Sequence, residues 1–138
     1  MGLKKKSRKK RELPDPHAKG AARCRQALEI VATDNTFNLG FDSAGPLWIG
    51  RCLHCNTAMY VRTNGGTDAT VEHIVPTSKG GSGTDLMNLA LACKECNNEK
   101  GVRHDQNYPR DKRACEVIGK LLEKRSERWR KPPPEMVL

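Results

Sequence analysis

Two Cys-x2-Cys pairs, Cys52-Leu-His-Cys55 and Cys93-Lys-Glu-Cys96, constrain this chain more than any other feature. A Cys-x2-Cys segment curls tightly enough for both sulfurs to reach one ion, and two such knuckles supply the four thiolates of a tetrahedral Zn²⁺ site. The chain must therefore bring Cys93 back beside Cys52. Four sulfurs fill the coordination sphere, so the expected zinc is structural and any chemistry sits beside it. The segment between the pairs exceeds the roughly 15–20 residues of a minimal zinc ribbon, which implies an insertion. A redox role is disfavoured, because a thioredoxin-type motif occurs once, at a helix start within a βαβ pattern.

Zinc is expected rather than disulfides because the chain opens MGLKKKSRKKR, with no apolar run behind it to act as a secretory signal. Gly2 does not complete a lipidation motif, since Lys6 stands where Ser or Thr is required. With no stretch near the roughly 18 apolar residues of a membrane span, a cytoplasmic protein, of bacterial or phage origin, is expected. At 138 residues, 36% hydrophobic and 4% aromatic, one domain with a small core is expected, and such a core gains from a metal cross-link.

A net charge of +9 implies an anionic partner, most simply nucleic acid. Lys4, Lys5, Lys6, Arg8, Lys9, Lys10 and Arg11 form a basic stretch closed by Leu-Pro-Asp-Pro. Residues 1–16 therefore read as a disordered arm that tracks phosphates or simply solubilises. The scattered Trp48, Tyr60, Tyr108 and Trp129 make a poor stacking platform, so duplex or branched DNA is preferred over single strands, with RNA left open. No base-reading set is evident, which predicts weak sequence specificity. Monomer and homodimer are both compatible with the sequence.

The rest of the chain reads as one domain over 17–131 and a Pro-rich tail over 132–138. A helix is predicted over about 17–33, then a polar loop over 34–45. Short strands flank the first knuckle at 46–51 and 58–63. A further strand, 68–75, ends in Glu72-His73 before Pro76, and Asn88 to Ala92 is another. Helices are predicted from about Lys94 to Arg103 and from Asp111 to about Trp129, the latter with an apolar stripe and a charged remainder that reads as a solvated face. Cys24 and Cys115 read as packing residues, and His54, inside a knuckle turn, as exposed.

Between and after the knuckles stand Glu72-His73-Ile74-Val75-Pro76, Gly80-Gly81, Asn88-Leu89, and Cys96-Asn97 followed by Lys100-Gly101. His73 precedes Asn88 by fifteen residues, and Asn88 precedes Asn97 by nine. In order and spacing this set resembles the HNH nuclease family, whose shared unit is a ββα-metal motif. The resemblance covers Cys52 to Gly101 and implies an α+β fold, a small zinc-stapled ββα-metal domain flanked by N- and C-terminal helices.

The resemblance also implies a metal-dependent endonuclease that hydrolyses DNA phosphodiester bonds, leaving 5′-phosphate and 3′-hydroxyl ends. In that reading His73 is the general base, Asn88 braces the loop that orients it, and Glu72 and Asn97 hold one catalytic Mg²⁺ or Mn²⁺. The residue types suit the chemistry: histidine titrates near neutrality, and hard oxygen ligands suit those cations. Lys100, Arg103 and Lys79 are candidate phosphate contacts. Two departures stand out. Glu72 is a methylene longer than the family's usual ligand, and Gly101 occupies a position where some members carry a further metal-binding His. His104, seven residues after Asn97, is a remote second-site candidate. The alternative is a non-catalytic zinc-ribbon module that binds nucleic acid without cutting it.

Overall fold

The structure, a computed structural model, describes residues 19–136; the basic arm lies outside the described residues. Helix α1 (Lys19–Ala32) is followed by strands β1 (Asn38–Asp42), β2 (Gly45–Arg51) and β3 (Ala58–Val61), which form one antiparallel sheet in the order β1-β2-β3. Strands β4 (Ala69–His73) and β5 (Leu89–Cys93) pair antiparallel in a second sheet, with Ala69 opposite Cys93 and His73 opposite Leu89. Helices α2 (Lys94–Arg103) and α3 (Lys112–Glu127) complete the α+β fold.

The interior holds two apolar clusters, and β5 serves both. Leu89 and Leu91 join Ile30 and Val31 of α1, Phe37, Trp48, Met59 and Val61. Ala90, which alternation turns the other way, joins Leu53, Ile74, and Ile118 and Leu121 of α3. A strand buried on both faces reads as an unbroken apolar run, as Leu-Ala-Leu-Ala does here. Packing is tight enough at Gly50 that a Cβ would stand 2.4 Å from the Phe37 ring.

β1 occupies part of the segment expected as a loop. Asn38-Leu-Gly-Phe-Asp buries little, and Phe41 is 74% exposed, so no periodic apolar signal marks it. Its pairing with β2 carries it instead, through a turn in which Asp42 Oδ1 accepts the Ala44 N–H at 2.9 Å and Gly45 takes φ +119°. Beyond α3, Met136 packs on the first cluster, and its N–H donates to Pro133 O at 3.0 Å.

α3 begins at an Asp111 cap whose carboxylate accepts the Ala114 N–H at 2.9 Å, and it buries Ala114, Ile118 and Leu121 as its stripe predicts. The expected solvated face is interrupted by two arginines. Arg125 is fully buried and donates to Leu86 O, Leu89 O, Thr33 O and Thr33 Oγ1 at 3.2, 2.7, 2.8 and 2.8 Å. Burial pulls its guanidinium below the ordinary arginine value, and Asp34 opposes that shift. Arg128 donates to Arg51 O at 3.0 Å and to Asn56 Oδ1 at 2.6 Å, pinning the first knuckle. A guanidinium offers five donors in a fixed fork, which suits it to gathering carbonyls from separate elements.

Candidate active site and metal box

The two knuckles meet. One sulfur from each of Cys52, Cys55, Cys93 and Cys96 lies within 4.8 Å of every other, and Cys55 and Cys93 Sγ are 4.0 Å apart. A tetrahedral site with Zn–S near 2.3 Å has S–S edges of about 3.8 Å. Asn56, in the first turn, takes φ +65°, which lets the chain curl between Cys55 and β3. Cys52 Sγ accepts N–H groups from His54 and Cys93 at 3.4 and 3.3 Å. Burial pushes the Cys96 thiol up, and the neighbouring Cys93 and Cys55 sulfurs push it further. Sulfurs so close cannot all ionise without a cation to offset them, so the donor set fits zinc.

β4, the long loop, β5 and α2 form a strand-loop-strand-helix unit resting on this box. Cys93 ends β5 and caps α2, which sets Asn97 on the first turns of the helix. His73 ends β4, where Pro76 prevents the strand from continuing. Both border one open cleft of about 190 Å³, together with Val71, Pro76, Thr77, Ser78 and Asp105. Amide, hydroxyl and carboxylate oxygens line it beside the His73 imidazole, and the oxygen donors fit a cation such as Mg²⁺ or Mn²⁺.

Asn88 closes the loop behind His73. Its Oδ1 accepts the Val75 N–H at 2.8 Å, and its Nδ2 donates to Val75 O and Ser82 O at 3.0 and 2.8 Å. Its own carbonyl accepts the Ile74 N–H at 2.8 Å. The loop is drawn so close that a Cβ at Gly81 would fall 1.9 Å from Val75 O, and Gly80 takes φ +93°. Asp85 caps the short 3-10 turn Leu86–Asn88 through the Met87 N–H at 3.0 Å. A segment that reads as flexible from its composition is thus tied down at both ends.

Glu72 does not border the cleft. Strand alternation turns it away from His73, and its side chain is fully buried. His54 Nε2 lies 2.6 Å from Oε1, while Lys100 Nζ is 3.5 Å from Oε2, a charge partner without a hydrogen bond. His54 is accordingly half-buried rather than exposed.

Lys100 is not at the surface either: it is 2% exposed, and Nζ donates to His73 O at 3.1 Å and Asp105 Oδ1 at 2.7 Å. Its ammonium is committed inside the protein, so the expected phosphate contact does not hold in this arrangement. A lysine on a helix otherwise rich in exposed charge gives no sequence signal of this.

Of the other candidates, Arg103 is exposed, 3.5 Å from Glu99 one turn back, and Lys79 is half-buried in the 3-10 turn Thr77–Lys79. Lys4, Lys5, Lys6, Arg8, Lys9, Lys10 and Arg11 lie outside the described residues. His104 follows α2, and its Nδ1 is buried with no hydrogen-bond partner among the described residues. Cys24 is half-buried, whereas Cys115 is exposed and donates to Pro109 O at 3.1 Å. Asp105 was not singled out by any motif, because it belongs to a short turn after α2 whose return to the cleft depends on tertiary folding.

Among the described residues no helix is long and apolar enough to cross a membrane. No curated protein and no solved structure matches the chain. Residues 52–112, which contain both knuckles, the strand-loop-strand-helix unit and the turn carrying Asp105, do match a family, and that family is the HNH endonucleases.

Proposed function

We propose that this protein is a metal-dependent endonuclease that hydrolyses DNA phosphodiester bonds with weak sequence specificity. The observation that carries the reading is the convergence of His73 and Asn97 on one open cleft, inside the stretch that matches the HNH endonucleases. His73 takes the proton from the attacking water, and its half-buried position leaves the ring reachable from the cleft. Asn88 acts as a positioning residue by fixing Val75, two residues beyond His73. Asn97 offers a hard oxygen to a Mg²⁺ or Mn²⁺ ion.

When bound there, such an ion stabilises charge on the phosphate and the leaving oxygen. Thr77 and Ser78, exposed at the rim, are available to phosphate oxygens. The four cysteines hold structural Zn²⁺, which fixes β5 and the start of α2 and so the direction from which Asn97 enters. The basic arm and exposed Arg103 supply phosphate affinity that falls steeply with salt.

The test is cleavage of supercoiled plasmid by the zinc-loaded chain in Mg²⁺ or Mn²⁺, beside an EDTA lane and a His73→Ala lane of confirmed zinc content. Nicked or linear product that vanishes in both controls supports the assignment. Intact plasmid from a folded, zinc-loaded sample that still shifts DNA in a gel would replace it with the non-cleaving binding module.

A further inference from the structure

One lysine stands between two carboxylates, and only one of those carboxylates reaches the cleft. Glu72 is fully buried, with His54 on one oxygen and Lys100 near the other. Asp105 has a side chain 24% exposed, borders the cleft with His73 and Asn97, and gives only Oδ1 to Lys100. Lys100 also donates to the His73 carbonyl, so a single buried ammonium sets Asp105 relative to the strand end that carries His73. Both oxygens of Glu72 face buried partners, whereas Asp105 meets Lys100 through one oxygen and is the carboxylate that reaches the cleft, where a cation can meet it.

We propose that Asp105, rather than Glu72, is the carboxylate that holds the divalent cation in the His73–Asn97 cleft, with Glu72 serving as a buried strut between the zinc knuckle and α2. This rests on the nuclease reading above. A cation needs ligands that can shed water and still admit a phosphate, which favours a partly exposed carboxylate over one sealed in the interior. Gly101 offers no side chain one turn beyond Asn97, and Asp105, in the short turn after α2, lines the same cleft as Asn97. Glu72 cannot be withdrawn from its network without leaving Lys100 and His54 facing an empty buried position.

The experiment is a Mn²⁺ titration of the zinc-loaded full chain, with free Mn²⁺ followed by electron paramagnetic resonance and zinc content and melting temperature recorded for each variant. Asp105→Asn and Asp105→Ser are expected to weaken Mn²⁺ binding by at least the roughly 10–100-fold that loss of even an outer-sphere partner costs. Their zinc content is expected to be unchanged. Glu72→Gln is expected to weaken Mn²⁺ binding less than either Asp105 variant while lowering the melting temperature.

Unchanged affinity in both folded Asp105 variants, or loss of affinity in Glu72→Gln alone, overturns the assignment. If the wild-type chain still cuts plasmid in Mn²⁺ under that outcome, the nuclease reading stands and only the carboxylate is wrong. If the wild-type chain neither binds Mn²⁺ nor cuts, both fall together.

Discussion

Replacing Asn88 tests whether the loop beside His73 is held by one side chain. The residue is 7% exposed and makes three side-chain hydrogen bonds, accepting from Val75 N and donating to Val75 O and Ser82 O. Asn88→Ala removes all three at a net of about 0.5–1.5 kcal/mol each, and the close approach of Gly81 over Val75 O hinders water from replacing them. The expected loss is about 2–4 kcal/mol. For a domain of this size that corresponds to a fall of roughly 7–14 °C in melting temperature.

Asn88→Asp sharpens the test. It keeps the acceptor for Val75 N, but it turns two donations into contacts between a carboxylate and two carbonyl oxygens. It is expected to be at least as damaging as alanine at pH 7, although it is nearly isosteric. Protonation restores a donor, so its folded-state pKa should rise. Its deficit should therefore shrink as pH falls and return as pH climbs through that raised pKa. Thermal melts of the zinc-loaded variants between pH 5 and 8, with plasmid nicking alongside, read both effects. An Asn88→Ala penalty below about 0.5 kcal/mol, or an aspartate variant clearly more stable than the alanine one, would refute the reasoning.

Gly81→Ala should cost roughly 1–3 kcal/mol, because the added Cβ meets backbone at Val75 and the chain must shift; a urea midpoint equal to wild type would contradict this. Arg125→Met removes the guanidinium donor from the Leu86 and Leu89 carbonyls, while Thr33 O keeps the Arg130 N–H, and a loss of about 2–6 kcal/mol is expected by chemical denaturation. Stripping zinc with a chelator should abolish the cooperative unfolding transition rather than shift it. Structural zinc is worth roughly 10–16 kcal/mol in small zinc-binding units, comparable to the roughly 5–15 kcal/mol that holds a whole domain together. Retention of a sharp melt after confirmed zinc removal would show that the sulfurs are not the staple.

Most of the architecture was legible because it is written in local chemistry. The bounds of α2 follow from a Cys-terminated strand feeding a polar helix, and they fall at Lys94 and Arg103 as expected. The strands on either side of the first knuckle, the pair β4 and β5, and the meeting of the cysteines follow from knuckle spacing and β-prone runs. What escaped depends on partners far away in sequence. β1 has no apolar period, since its stability lies in the ladder with β2. Lys100 and Glu72 look like surface charge and site ligand until the fold seals them together with His54. Arg125 looks like one more solvated base on a basic helix, and nothing local shows that carbonyls from two other elements converge on it. Asp105 enters the cleft only because the turn after α2 folds back on Lys100.

The grip of α3 on the rest of the molecule changes how the stretch 52–112 can be treated. Arg125 holds the carbonyls on either side of Asn88, and Ile118 and Leu121 form much of the second apolar cluster; all three lie beyond residue 112. α1, before residue 52, supplies Ile30 and Val31 to the first cluster and, through Thr33 just past its end, two of Arg125's four acceptors. The stretch that matches the HNH endonucleases and the folding unit therefore have different borders. A fragment cut at the edges of that stretch would carry every candidate site residue between 52 and 105 and lack the scaffold that shapes their loop. A chimera that transplants this chemistry into another protein must bring both flanking helices or rebuild the carbonyl clamp from its host.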